Sequence, residues 1–175
     1  MEQNQKTVSP MSNEGRNAYV VEQLTAALLE LLKERTLADI SVSELCDRAG
    51  VGRTSFYRNF QEKEDILRAH IKELFSDWAG ALAKDPPLDR LILAMFTHFE
   101  DHRDFYALLN KRGLTGLMRD VILELCGFHP ELEAKAAYAS AFAAYSLYGW
   151  VEVWFRRGMR ESAREMAELF RQQES

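Results

Sequence analysis

Residues 41–60, "SVSELCDRAGVGRTSFYRNF", contain the signals that decide the fold of the N-terminal part of the chain. Ser41 and Glu44 have the spacing of a capping box, which predicts a helix that begins at Val42. Gly50 predicts the end of that helix, because glycine adopts a left-handed backbone without strain. The residues that follow form a second short helix after a tight glycine turn. Two short helices joined in this way are typical of a helix-turn-helix.

The second of these helices, within "VGRTSFYRNF" (51–60), mixes hydrogen-bond donors with aromatic rings. Phe56 and Phe60 are four residues apart, so they share a face that we expect to pack on the first two helices. The donors on the other faces suit a polar, negatively charged partner such as DNA, since arginine reads guanine edges and hydroxyls suit phosphates. The DNA contacts predicted on this helix are Arg53, Thr54, Ser55, Tyr57 and Arg58.

Lys63 lies at the start of the next helix, where free backbone N–H groups favour an anion. We therefore add Lys63 to the predicted DNA contacts, as a phosphate clamp. The alternative is that Lys63 pairs with nearby acids on a solvated face.

The rest of the chain shows helical spacing of apolar residues nearly everywhere and no sustained alternation. These patterns predict an all-α fold of about nine helices. We expect a disordered tail at residues 1–13, a helix-turn-helix domain at 14–62 and a helical regulatory and dimerisation domain at 63–175.

Composition and charge narrow the possible functions. The 175 residues are 47% apolar and carry a formal net charge of −5, which argues against non-specific coating of nucleic acid but allows a local basic patch. The two cysteines are far apart and suit a reducing cytosol, so we expect a cytoplasmic protein. The N-terminus lacks the apolar core of a signal peptide. The uncharged run at 136–151 is too short and too rich in Ala, Ser and Tyr for a membrane span.

The run "AGVGRTSFYRNFQEKEDIL" (49–67) resembles the DNA-binding segment of the TetR family of bacterial transcriptional regulators. Gly52 stands where the family usually has a capping Ser or Thr, and Asn59 stands where His or Tyr is common. The resemblance implies an all-helical homodimer that binds double-stranded DNA at a near-palindromic operator. It also implies a larger helical domain that dimerises and often holds a small ligand, and family members are mostly repressors.

The C-terminal run "GWVEVWFRRGMRESAREMAELF" (149–170) resembles a subgroup of that family that includes dihydroxyacetone kinase regulators. Some members of this subgroup act as co-activators or metal-responsive regulators. An adaptor or co-activator of the same fold, acting through protein contacts, is therefore the alternative to a repressor. We find no nucleophile elbow, phosphate loop or carboxylate dyad, so the sequence does not predict an enzyme.

A long helix predicted at 131–157 is the candidate for dimerisation. Small residues on one side would let another helix approach closely, and the last helix would complete a two-fold four-helix interface. The predicted interface comprises Ala139, Ala143, Ser146, Trp150, Trp154, Met166 and Phe170. The alternative is that this surface packs only within its own subunit.

A ligand pocket would lie among the other helices of the C-terminal part. Its candidate walls are Trp78, Phe96, Phe99, Tyr106, Phe142 and Tyr145, although aromatic residues at helical spacing are also typical of a plain core. His98 and His102 have the spacing that lets two imidazoles bind one metal ion, with His70, Cys126 or His129 as a possible third ligand. Because this spacing is common by chance, no metal site and no cofactor is predicted.

Overall fold

A computed structural model describes residues 13–81 and 87–173 of the chain. Within these ranges the chain forms nine α-helices, one short 3-10 helix and no strand, which confirms the all-α prediction. The α-helices are α1 (Asn13–Glu34), α2 (Val42–Ala49), α3 (Arg53–Asn59), α4 (Lys63–Ala81), α5 (Leu88–Asp101), α6 (Arg103–Lys111), α7 (Gly116–Leu125), α8 (Ala134–Arg156) and α9 (Ala163–Gln173).

The chain divides into two compact units after Leu67. The predicted domain boundary at residue 62 stays a prediction. The predicted disordered tail lies outside the described residues, except for Asn13, which is the first residue of α1.

In the first unit, α1, α2 and α3 pack against one another around an apolar core. The Ser41 hydroxyl caps α2 by accepting a hydrogen bond from the backbone N–H of Glu44 at 3.1 Å. Gly50 ends α2 with a φ of 66°, in the left-handed region that glycine favours. Both helix-boundary predictions are confirmed, and together they position α3. The core of this unit includes Leu24, Leu28, Leu32, Leu45 and Phe56.

In the second unit, α5 packs along α9, α7 packs on α8, and α6 contacts both α5 and α8. Ser162 and Glu165 have the same spacing in the sequence as the capping box of α2, which predicts a second capping box at the start of α9. The structure contains it: the N–H of Ser162 donates to the Glu165 carboxylate at 2.7 Å, and the N–H of Glu165 donates to the Ser162 hydroxyl at 3.3 Å. The Glu100 carboxylate of α5 also accepts from the N–H of Ala163 at 2.8 Å. The start of α9 is therefore held both by its own cap and by α5.

The buried face of α4 differs from the one that its sequence suggests. Helical spacing from Ile66 predicts an inner stripe through residues 70, 74, 78 and 82, of which residue 82 lies outside the described ranges. The buried residues are instead Ile66, Leu67, Ile71 and Phe75, so the buried face is rotated by about one residue. Trp78 is consequently placed beside the buried face, where it lines a groove.

No helix in the described ranges combines the length and the apolar character that crossing a membrane requires.

Candidate nucleic-acid interface

Two buried phenylalanines anchor α3. Phe56 has no exposed surface and Phe60 is 7% exposed, and their ring centroids are 6.1 Å apart. Phe60 is the residue that ends the helix, and its N–H donates to the carbonyl of Phe56 at 2.9 Å. The prediction that these two rings face the core of the first unit is confirmed.

The opposite side of α3 presents donors to solvent. Arg53, Thr54, Tyr57 and Arg58 are exposed, with Tyr57 retaining 56% of its surface, while Ser55 is half-buried. Among the described residues, no hydrogen bond or ion pair involves the guanidinium of Arg53 or Arg58. Each guanidinium therefore keeps its full charge and all five of its N–H donors for an external partner. The geometry suits DNA contact, which stays a prediction for each of these residues.

Gly52 and Asn59, the two residues that depart from the TetR pattern, lie at the two ends of α3. Gly52 occupies the N-cap position of α3 with φ −75° and ψ 146°, and no side chain caps this end. Asn59 turns back onto its own helix, where its amide donates to the carbonyl of Ser55 at 2.8 Å. That amide is thus engaged within α3, unlike the arginines beside it.

The structure gives Lys63 an intramolecular role that the sequence did not suggest. Its ammonium donates to the carbonyl of Leu37 at 2.6 Å and also to the carbonyl of Ile40. The nearby N–H groups of Gln61 and Glu62 both donate to the carboxylate of Asp65, each at 3.0 Å. Two of the backbone donors next to the start of α4 are therefore bonded to the chain itself. The ammonium of Lys63 is bonded to two backbone carbonyls and forms no ion pair with a neighbouring acid among the described residues.

The residues predicted for the dimer interface separate into three groups: exposed, buried and half-buried. Ala139, Ala143 and Ser146 are exposed on α8, as an interface requires. Trp154 is fully buried and Met166 is 5% exposed, so both belong to the core of their own subunit. The Trp154 ring lies 5.3 Å from that of Phe96, and its indole N–H donates to the carbonyl of Glu161 at 2.8 Å. Placing these two side chains in the contact area of an interface was therefore wrong.

Trp150 and Phe170 are half-buried, with ring centroids 5.4 Å apart. A shallow groove of about 540 Å³ lies between α8 and α9, and Trp150, Val153 and Leu169 are among its walls. Trp154 and Met166 also line this groove. Both are core residues next to the groove, because Trp154 has no exposed surface and Met166 is only 5% exposed.

A row of exposed apolar side chains on α8 was not predicted from the sequence. Tyr138 and Phe142 are each 78% exposed, Tyr145 is 53% exposed and Val153 is 56% exposed. These four residues, here called the α8 stripe, share one face of the helix. The small residues predicted for the interface directly follow Tyr138, Phe142 and Tyr145 in the chain, so they lie about 100° further round the helix. The spacing of the α8 stripe, at three, four and eight residues, was visible in the sequence. We had assigned Phe142 and Tyr145 to a pocket because aromatic residues at helical spacing also build cavity walls.

The six residues predicted to line a pocket do not share one cavity in the described part of the chain. Phe96, Phe99 and Tyr106 are fully buried core residues, whereas Phe142 and Tyr145 point outward from α8. Trp78 lines a groove of about 620 Å³ between α4 and α5. The indole N–H of Trp78 is buried and has no hydrogen-bond partner among the described residues. The remaining residues of this groove are Leu74, Asp77, Arg90, Leu93, Ala94, Thr97, His98, Asp101 and His102.

His98 forms part of a buried polar pair. Its Nε2 lies 2.8 Å from the hydroxyl oxygen of Tyr106, within hydrogen-bond distance. Burial, and to a smaller extent the neighbouring His102, lower the pKa of His98 to about 4, and burial raises the pKa of Tyr106 well above its usual range. Both groups are therefore neutral at pH 7. No group of three or more His, Cys, Asp or Glu side chains in the described ranges is placed to hold a metal ion.

Comparison with known proteins agrees with this architecture. The family profile described as "Bacterial regulatory proteins, tetR family" matches residues 24–70, and the profile "Transcriptional regulator C-terminal region" matches residues 88–173. The uncharacterized HTH-type transcriptional regulator YerO of Bacillus subtilis (strain 168) is 27% identical over 99 residues. That alignment covers 50% of this chain and 34% of the relative, so the chain matches about a third of the relative's length.

Among solved structures, the crystal structure of Lin0861 from Listeria innocua has a TM-score of 0.69 at 16% identity, covering 94% of this chain and 93% of that one. A tetR-family transcriptional regulator from Streptomyces coelicolor has a TM-score of 0.47 at 20% identity, covering 90% of this chain and 77% of the other. The two profile matches and the helix-turn-helix at α2–α3 together define the class: the chain belongs to the TetR family of bacterial transcriptional regulators, which are DNA-binding proteins and not enzymes.

Proposed function

We propose that the chain is a homodimeric transcriptional regulator, most simply a repressor, that acts in the cytoplasm on a near-palindromic DNA operator. The observation that carries this proposal is the two-sided character of α3. Phe56 and Phe60 hold the helix in the core, while Arg53, Tyr57 and Arg58 project into solvent. In this arrangement the arginines contact base edges or phosphates in the major groove, and Thr54, Ser55 and Tyr57 supply hydroxyl groups.

The α8 stripe supports the proposal of a homodimer. Three large aromatic side chains at 53–78% exposure would leave an extended apolar face in water if the subunit stayed alone. A two-fold contact brings the same face of a second copy against it, and the small residues Ala139, Ala143 and Ser146 allow close approach of the two helices. The groove beside Trp150 and Leu169 extends the proposed interface towards α9. Two copies of α3 then read two half-sites about one helical turn apart.

A small ligand could regulate the protein by binding in the groove between α4 and α5. The groove has the size of a small-molecule site and combines apolar walls with Asp77, Arg90 and His102. The unpartnered indole N–H of Trp78 is a buried donor that a ligand acceptor would satisfy. Because α4 begins with Lys63 in the first unit and continues into the second, it is the element through which we propose ligand binding alters DNA affinity. The ligand must bind one state of the protein more tightly than the other.

The proposal includes whether the protein represses or activates transcription. The resemblance of residues 149–170 to the subgroup that includes dihydroxyacetone kinase regulators leaves a co-activator as the second candidate. A repressor binds its operator directly, whereas an adaptor acting through protein contacts selects no DNA fragment.

The test begins by selecting bound fragments from mixed genomic DNA with the full chain and sequencing them. Arg58→Ala is then compared with the parent chain on the selected operator. We expect a loss of about 1–3 kcal/mol in binding free energy, with the dimer and the unfolding midpoint unchanged because Arg58 is exposed and has no hydrogen bond or ion pair within the described chain. Failure to select any fragment, or full operator affinity in Arg58→Ala, would contradict the proposal. Arg164→Ala, at an exposed position of α9, is the matched control.

A further inference from the structure

A groove of about 900 Å³ lies in the first unit, between the first turns of α1 and the turn that joins α2 to α3. On one side it is lined by Arg16, Asn17 and Tyr19 of α1. On the other side it is lined by Ser55 and Arg58 of α3, so it is continuous with the donor surface already described. The three α1 residues precede residue 24, where the match to the DNA-binding family profile begins.

The lining of this groove is one-sided in charge. It contains two arginines and three asparagines, and no Asp or Glu among the residues that the structure describes. The whole chain, in contrast, has 27 acidic residues against 22 Lys and Arg. An uncompensated pair of guanidiniums in an otherwise acidic protein favours a negatively charged occupant.

The hydrogen bonding of the two arginines supports the same occupant. Arg16 donates to the side-chain carbonyl of Asn13 at 2.6 Å, and this partner is a neutral amide. Arg58 has no hydrogen bond or ion pair with another described residue. Neither charge is therefore neutralised by a carboxylate within the described chain. Both guanidinium groups remain able to bind phosphate in bidentate fashion.

We propose that the first two turns of α1 form a second DNA contact, in which Arg16, Asn17 and Tyr19 hold the sugar–phosphate backbone beside the major groove that α3 enters. This inference rests on the proposed function, since it assumes that α3 binds DNA. Arg16 supplies the charge, Asn17 an amide donor and Tyr19, which is 58% exposed, a hydroxyl for a phosphate oxygen. The contact positions the protein on the duplex and reads no base.

The experiment compares Arg16→Ala, Arg58→Ala and Arg164→Ala in the full chain. Affinity is measured over a series of salt concentrations on the selected operator and on a random-sequence duplex of the same length. In a dimer, Arg16→Ala removes two phosphate contacts, so the slope of log affinity against log salt should fall by about two. Affinity should fall roughly tenfold on both duplexes, which leaves their ratio unchanged. Arg164→Ala should alter neither quantity.

The outcomes separate this inference from the function on which it rests. If Arg58→Ala loses operator binding while Arg16→Ala keeps the parent's affinity and salt slope, the α1 contact is refuted and the proposed function stands. If Arg58→Ala has no effect on operator binding, the proposed function itself fails. If Arg16→Ala lowers the unfolding midpoint, Arg16→Lys is measured as well. A lysine variant that restores the salt slope supports a phosphate contact. A lysine variant that restores the midpoint but leaves the slope reduced contradicts it.

Discussion

The helices α3 and α8 both expose a face to solvent, and the two faces have opposite chemistry. In α3 the aromatic residue Phe56 is buried and guanidiniums point outward, whereas in α8 Phe142 and its neighbours point outward and Ala144 and Phe155 are buried. A face of unpartnered cationic donors suits a polyanion, because its charges have no intramolecular neutralisation. A face of exposed rings suits an apolar surface, because contact with water is unfavourable. This difference is the basis of the proposal that α3 binds DNA and that α8 binds a second copy of the chain.

The largest expected effect comes from removing the anchor of α3. Phe56→Ala should lower the free energy of unfolding by about 3–5 kcal/mol, since it deletes a fully buried ring from the core of the first unit. Denaturant unfolding followed by far-UV circular dichroism, at one fixed protein concentration, measures the change. Tyr57→Ala is the matched control, because it removes a 56% exposed ring from the same helix and lies outside the proposed dimer interface. A loss under about 1 kcal/mol for Phe56→Ala would contradict the anchoring role.

The second effect concerns association. Phe142→Glu places a charge in the middle of the α8 stripe, so it should shift the chain from dimer to monomer without unfolding it. Sedimentation equilibrium over a range of protein concentrations measures the shift. Leu125→Glu, at a 47% exposed leucine of α7, makes the same kind of change outside the proposed interface and should leave the dimer intact. A parent chain that is monomeric, or a Phe142→Glu dimer as tight as the parent, would place the interface elsewhere.

Lys63 provides a smaller effect that separates folding from DNA contact. Lys63→Met keeps most of the aliphatic stem but leaves the carbonyls of Leu37 and Ile40 without their donor. The unfolding free energy should fall by about 1–3 kcal/mol. The exposed Arg58→Met should change stability by less than about 0.5 kcal/mol and should weaken operator binding instead. Unfolding curves and operator titrations of both variants measure these opposite patterns.

The opposite pattern in Lys63→Met would support the prediction that Lys63 binds a phosphate. If Lys63→Met unfolds like the parent and lowers the salt slope of operator binding, then Lys63 is the phosphate clamp that its position suggested. In that case the ammonium exchanges its carbonyl partners for a phosphate oxygen when DNA binds.

The sequence was sufficient wherever the deciding interactions are local. The cap of α2 by Ser41, the left-handed end at Gly50 and the capping box at Ser162 each depend on residues within a few positions of one another, and all are confirmed. The inward direction of Phe56 and Phe60 follows from helical spacing in the same way. Local rules of this kind predicted the helix-turn-helix and its donor surface.

The sequence was not sufficient where a contact joins distant parts of the chain. The carbonyls that Lys63 binds are 23 and 26 residues away, and no spacing rule identifies an acceptor at that distance. Trp154 was assigned to an interface because its face of α8 looked continuous with Trp150, but its ring packs against Phe96 of α5. Phe142 and Tyr145 were expected to line a pocket, but no neighbouring helix of the described chain covers their face of α8, and both rings are exposed. Helical periodicity shows which residues share a face, and only the neighbouring helices determine which face is buried.

The smallest expected effect is at the N-cap of α3. Gly52 has the extended backbone of an N-cap residue, and a Cβ built there would have no atom within 4 Å. Gly52→Ser should therefore raise the free energy of unfolding by about 0.5 kcal/mol, because serine caps a free N–H of the first turn and restricts the unfolded chain. Gly50→Ser is the matched control and should cost about 1 kcal/mol, since φ at Gly50 is 66°. Denaturation midpoints of the two variants should move in opposite directions. A lower midpoint for Gly52→Ser would mean that the first turn of α3 requires glycine for a reason other than local backbone freedom, and operator binding by that variant would show whether DNA approaches the backbone there.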